Sequence, residues 1–271
     1  MKPRFSIIIP TLNEEKFLPK LLESLTTQTV KDFEVIVVDG QSKDKTVAVA
    51  KRFAGTLQLT VVTSEKPSVS YQRNYGAKLS RADWLVFVDA DSILMPYFIE
   101  RILYFIEQKK PSVFTTWAQP DRNEGNEPLF ALFLNILLEG SLLFKRPMVP
   151  GPLTAIKHDI FQNSGGYDES QTFDEDIELG LRLAKKKITI AILRESLYIW
   201  SMRRIRSEGK IKVMNQYILA AIPILFFKRT FKYMFGYSTG GQLYDKKRKP
   251  MKQLVLKQFE TKLKSLMKEL F

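Results

Sequence analysis

Apolar positions along the first ninety residues alternate between two periods. Phe5–Ile9, Phe33–Val38, Leu59–Val62 and Trp84–Val88 are short runs rich in β-branched and aromatic residues, and they read as buried strands. Between them Phe17, Leu18, Leu21, Leu22 and Leu25 recur at helical spacing, and helices are predicted over about 43–53 and 70–79. Such alternation predicts an α/β fold with a mainly parallel central sheet flanked by helices on both faces. The second half is less regular. It predicts helices over 96–109 and 129–144, strands over 113–116 and 153–156, a Pro/Gly-rich crossing at 147–152, and a helix over 175–186 whose buried stripe is Ile177, Gly180, Leu181 and Ala184.

Ligands of such sheets bind beyond the carboxyl ends of the strands. Three of those ends are polar: Pro10-Thr11-Leu12-Asn13-Glu14, Asp39-Gly40-Gln41-Ser42 and Asp89-Ala90-Asp91. Side chains two apart on an extended segment point the same way, so Asp89 and Asp91 would converge on one hard cation able to hold a diphosphate. Taken alone, an Asp-x-Asp is as compatible with a solvated turn or a helix cap. Asp174, Glu175 and Asp176 open the 175–186 helix, where the dipole stabilises negative charge and where simple capping is the competing reading. His158, the only histidine, is expected to be structural.

Charge divides the chain. Residues 1–193 carry 24 basic and 24 acidic side chains, whereas residues 194–271 carry 18 against 5, so the entire excess of +13 lies at the carboxyl-terminal end. This end is also apolar. Within 251–271, Val255, Phe259, Leu263, Leu266 and Leu270 follow helical spacing among lysines, predicting a basic amphipathic helix that lies on an anionic membrane surface or docks on its own domain. The Lys246-Lys247-Arg248-Lys249 run is the only direct support for nucleic-acid binding. No stretch is apolar enough to span a bilayer. With no cysteine and no secretory leader before Phe5, the chain reads as cytoplasmic, with a peripheral position on the inner membrane face as the further expectation.

The motifs together resemble the family 2 glycosyltransferases, inverting enzymes of the nucleotide-sugar-binding GT-A fold. The matching residues are Ser6 to Glu14, Glu34 to Ser42, Arg73-Asn74, Asp89-Ala90-Asp91 and Glu175 to Arg182, in the family's order. The likeness covers about residues 4–206, which sets a catalytic domain over 1–206 and a basic, aromatic-rich, largely helical extension over 207–271. It implies a donor site of Pro10, Thr11, Asn13, Glu14, Asp39, Arg73, Asp89, Ala90 and Asp91 for a UDP- or GDP-sugar. It further implies Mg²⁺ or Mn²⁺ on Asp89 and Asp91, and Asp176 as the general base for an acceptor hydroxyl. Gly151, Glu175, Arg203 and Arg204 would contact phosphates or acceptor. Arg203 and Arg204 stand where the family often has Gln-x-x-Arg-Trp, but no Trp follows, which suggests a non-processive enzyme and leaves open which arginine acts.

The basic extension points to a glycan or lipid-linked acceptor at the membrane. The rival within the class is a polyprenyl-phosphate sugar synthase, whose phosphate acceptor needs no base. A dinucleotide oxidoreductase is disfavoured because no Gly-x-Gly-x-x-Gly follows the first strand.

Overall fold

The computed structural model describes residues 2–125, 127–143, 148–209 and 212–216. In chain order the elements are β1 (Phe5–Thr11), α1 (Leu18–Thr26), β2 (Phe33–Asp39), α2 (Thr46–Lys51), β3 (Leu59–Thr63), α3 (Val69–Leu79), β4 (Trp84–Val88), β5 (Ser92–Leu94) and α4 (Phe98–Lys109). Then follow β6 (Val113–Pro120), α5 (Glu127–Leu143), β7 (Leu153–Lys157), α6 (His158–Ser164), α7 (Glu175–Lys185), β8 (Ile190–Trp200) and α8 (Arg203–Glu208).

The eight strands form one sheet in the order β3-β2-β1-β4-β7-β6-β8-β5. β1 to β4 are parallel, as the βαβ alternation predicts. The other half is mixed: β7 runs antiparallel to both β4 and β6, and β5 pairs antiparallel with β8. The period-2 pattern of the strands feeds two cores. Phe5, Ile7, Ile9, Val35, Val37, Val86 and Val88 face one side, with α1 and α4, while Ile8, Ile36, Val38, Leu85 and Phe87 face the other, with α3, α6 and α7.

The strand order reverses at β1. The chain winds outward through β2 and β3, then returns through α3 to place β4 on β1's other side. Such a switch point opens a crevice at the strand ends, and here those ends are Thr11, Asp39 and Asp89. α8 crosses the expected boundary at 206. Beyond it, Val213 packs with Ala131, Met202 and Ile205, so the body continues to at least that residue. The extension from Tyr217 onward, including the expected amphipathic helix over 251–271, lies outside the described residues.

Candidate active site

The ends of β1 and β2 are tied together by buried polar groups. Gly40 N donates to the Thr11 carbonyl at 2.7 Å, and Gln72 Nε2, reaching from α3, donates to the carbonyls of Thr11 and Val38 at 2.8 and 2.6 Å. Thr11 Oγ1 lies 3.4 Å from Asp39 Oδ1, and Asp39 Oδ2 accepts from Ser42 N at 3.0 Å. Pro10 closes β1 one step earlier, paired with Val38. Asn13 adopts a left-handed backbone (φ 56°), tolerable for Asn because its side chain bonds locally: Oδ1 accepts from Lys43 N at 2.7 Å, while its own N–H donates to Ser42 Oγ at 2.8 Å. Asn13 therefore locks the two loops together, and direct donor contact is not what fixes its conformation.

Glu14, Asp91 and Arg203 form the first charged cluster. The guanidinium of Arg203 grips both Glu14 oxygens at 2.6 and 2.7 Å and places Nε 2.6 Å from Asp91 Oδ2, with the Phe17 ring 4.7 Å beneath it. Arg204 points elsewhere, donating to Gln216 at 2.7 Å. Of the two arginines left open by the missing Trp, Arg203 enters the site and Arg204 does not. A cavity of about 530 Å³, lined by Phe17, Lys20, Arg122, Arg206 and their neighbours, abuts the cluster and shares Arg203 with it.

Arg73 is the centre of the second cluster. It is 2% exposed, and its Nη2 donates at 3.0 Å both to Asp89 Oδ1 and to the Gly151 carbonyl, while Nη1 donates to Glu175 Oε1 at 2.9 Å. Its guanidinium stacks 5.1 Å from the Tyr167 ring. Burial works against its charge, but Tyr167 and the carboxylates Asp89, Glu175 and Asp176 more than offset it, so Arg73 is held above its ordinary value. Both Nη groups are committed to protein oxygens. Arg73 thereby braces Asp89, Gly151 and Glu175 against one another.

Through Gly151 the second cluster reaches the candidate base. Gly151 N donates to Asp176 Oδ2 at 2.7 Å, and a Cβ on Gly151 would stand 3.1 Å from that oxygen and 3.3 Å from Arg73 Nη2. Glycine here lets a backbone amide and carbonyl serve both partners at once. Gly151 thus joins the chain Asp89–Arg73–Gly151–Asp176, which links the end of β4 to the start of α7.

Burial dominates the carboxylates. It pushes Asp176 up to about 7, helped by Glu175 and opposed by Arg73. It pushes Asp91 up to about 7 against Arg203, and raises Asp89 against Arg73 and Glu14 against Arg203. At Asp176 burial and the like charge of Glu175 outweigh Arg73 and the backbone N–H groups of Ile177 and Gly151.

Asp174 is pushed highest, to about 8, by burial and by Asp176 and Glu175. It caps α7 in a left-handed conformation (φ 55°) with Oδ2 buried and unpartnered. A carboxyl that titrates near 8 folded and near 3.8 unfolded makes the folded state lose stability as pH rises between those values. Asp174→Asn keeps a residue that tolerates this backbone and removes the charge. We expect it to melt several degrees higher than the wild type at pH 8 and about equally at pH 4, read by thermal denaturation across that range.

Asp89 and Asp91 each turn one oxygen to an arginine, and their other oxygens are the ones a hard cation would take. No group of three metal-ligating side chains occurs among the described residues, so Asp89 and Asp91 would supply two ligands, leaving the rest to phosphate oxygens and water, as Mg²⁺ commonly requires. Ala90 between them is buried and opens a turn after β4, so the expected extended geometry of Asp89 and Asp91 is replaced by one in which Asp89 faces Arg73 and Asp91 faces Arg203. His158 begins α6 with Nδ1 3.0 Å from the Ala82 carbonyl, at the opposite end of β4. Residues not singled out in the sequence are Gln72, Phe17 and Tyr167. Their signal was weak: one polar residue on a buried helix face and two aromatics beside Glu14 and Gly166.

A mixed α/β sheet thus brings carboxylates at its switch point and the acidic start of α7 onto one buried arginine. Residues 6–165 match Glycosyl transferase family 2, and the chain belongs to that family. It is 33% identical over 186 residues to an uncharacterized glycosyltransferase of Haemophilus influenzae, covering 67% of this chain and 62% of that protein. It is 40% identical over 113 residues to a PGL/p-HBAD biosynthesis glycosyltransferase of Mycobacterium tuberculosis, covering 41% of this chain and 44% of the relative. The chain thus spans less than two thirds of the length of these relatives. S. aureus TarS in complex with UDP-GlcNAc shares the fold at a TM-score of 0.63 and 22% identity, covering 73% of this chain and 58% of that one. The mannosyltransferase PcManGT from Pyrobaculum calidifontis, in complex with GDP-Man and Mn²⁺, gives a TM-score of 0.63 at 19% identity, covering 81% and 65%.

Proposed function

We propose that the protein transfers a sugar, with inversion and with Mg²⁺ or Mn²⁺, from a UDP- or GDP-sugar to an acceptor hydroxyl on a lipid-linked glycan at the cytoplasmic membrane face. The observation that carries this reading is the Asp89–Arg73–Gly151–Asp176 chain, which holds a diphosphate-side carboxylate and a base-like carboxylate in one rigid unit. Thr11 and Asp39 would line the nucleoside end, and Arg203, whose planar donors grip Glu14 and Asp91, would hold those carboxylates beside the diphosphate. Bound to Asp89, Asp91 and the diphosphate, the cation would offset the charge of the leaving group. Asp176 takes the acceptor proton as the acceptor oxygen bonds to the anomeric carbon, and the bond to the diphosphate oxygen breaks on the opposite face. The donors named for TarS and PcManGT agree with a nucleoside diphosphate sugar but differ in base.

Thermal denaturation of the protein with UDP- and GDP-sugars, each with and without Mn²⁺, tests the donor half. One donor series should raise the melting temperature in a metal-dependent way, by the equivalent of about 2.7 kcal/mol at a hundredfold excess over Kd. Asp91→Ala should abolish the rise. No rise with any donor would reject the reading.

A further inference from the structure

α5 is built inside out. Its buried residues, Glu127, Ala131, Leu138 and Ser141, leave Leu129, Leu132, Phe133, Ile136, Leu137 and Leu143 facing solvent, with Leu129 67% and Ile136 59% exposed. The spacing 129, 132, 133, 136, 137 is that of one helical face, and it carries no charge. The only charged residues of α5 are withdrawn from it: Glu127 pairs with Arg206 and Glu139 with Arg194, each at 2.9 Å. A contiguous uncharged stripe of this size marks a docking surface.

We infer that this face of α5 docks into the interfacial layer of an anionic lipid bilayer, holding the acceptor side of the site against the membrane. Charge selects lipid over a second copy. Val213 packs on Ala131 of α5, and the chain that runs on from there, residues 217–271, carries 12 basic against 3 acidic side chains. A second copy would meet a chain of the same basic excess, whereas anionic headgroups attract it. Among the described residues no helix is long and apolar enough to cross a membrane, and the exposed apolar side chains of α5 fall on one face, as in a helix that lies in the plane.

α5 also leads into the site. Met148 N donates to Ser141 Oγ at 3.2 Å, and three residues later Gly151 N holds Asp176. The docked helix would therefore sit at the start of the segment that positions the base. For this catalytic consequence the inference rests on the lipid-linked acceptor reading; the docking itself is tested without it.

The chain has no cysteine, so one introduced at Ile136 can be labelled with an environment-sensitive dye in the full-length protein, with Gln108→Cys on α4 as control. On vesicles of phosphatidylglycerol and phosphatidylethanolamine the Ile136 label should shift to the blue and the Gln108 label should not. Binding should partly survive about 0.5 M salt, where purely electrostatic attraction is screened. Leu132→Gln/Ile136→Gln should lower that salt-resistant partition about tenfold or more while retaining the donor-induced melting shift. An unmoved Ile136 label, loss of all binding at high salt, or a dimer that the double variant converts to monomer would overturn the docking. A wild type that binds vesicles but shows no donor shift would leave the docking intact and reject the transferase reading.

Discussion

Asp176→Asn is expected to lower turnover by about 10²–10⁴ at saturating donor while leaving donor affinity within a few-fold of the wild type. Asparagine is isosteric, so its side-chain oxygen can still accept from Gly151 N and the loop keeps its place. What it loses is the ability to take a proton, together with the second oxygen, which accepts from Ile177 N at 2.8 Å. The pH dependence supplies an independent sign. A base works ionised, and burial pushes Asp176 up to about 7, so kcat should fall as pH drops below about 7 in the wild type. The variant should lose that limb. Asp91 titrates in the same range, but its protonation weakens the donor side and should appear in the donor KM. Near-normal turnover in the variant would indicate an acceptor that arrives as a phosphate anion, the polyprenyl-phosphate alternative.

How much of this was legible follows from which residues carry a pattern. Strand ends at Thr11, Asp39 and Asp89 were readable because each closes an apolar run; the register pairs Thr11 with Asp39, and β4 runs parallel to β1 on the other side. β8 was not, because Arg194, Glu195 and Ser196 interrupt its alternation where the pairing with β6 shifts register at Thr116–Ala118. β5 has three residues and α6 seven, too few to show a period. The antiparallel insertion of β7 between β4 and β6 is a tertiary choice that its own sequence, Leu153–Lys157, does not announce. At the site, the carboxylates were found because acids at strand and helix ends are conspicuous. The partners were not: an arginine in a helix reads as a surface cation, and only the fold buries Arg73 among acids from β4 and α7. The choice between Arg203 and Arg204 likewise needed the direction in which α8 leaves β8.

Arg73→Leu is expected to be the most destabilising single change in the site, about 3–5 kcal/mol, because it leaves Asp89 and Glu175 partly buried without their counter-charge. For a domain of this size that is a fall in melting temperature of roughly 6–20 °C. A merely lost side chain would cost the same at every pH. Lost compensation would not: burial already raises Asp89 against Arg73, and without the guanidinium it would titrate higher still in the folded state, so folding takes up protons and the deficit relative to wild type should shrink as pH falls from 8 toward 5. Arg73→Lys should recover only part of the loss, since one ammonium cannot serve Asp89, Glu175 and the Gly151 carbonyl in three fixed directions. Both variants should also lose turnover, because Gly151, and through it Asp176, is held by the same guanidinium. A pH-independent deficit, or full rescue by lysine, would mean that Arg73 contributes packing against Tyr167 and not the charge that joins donor side to acceptor side.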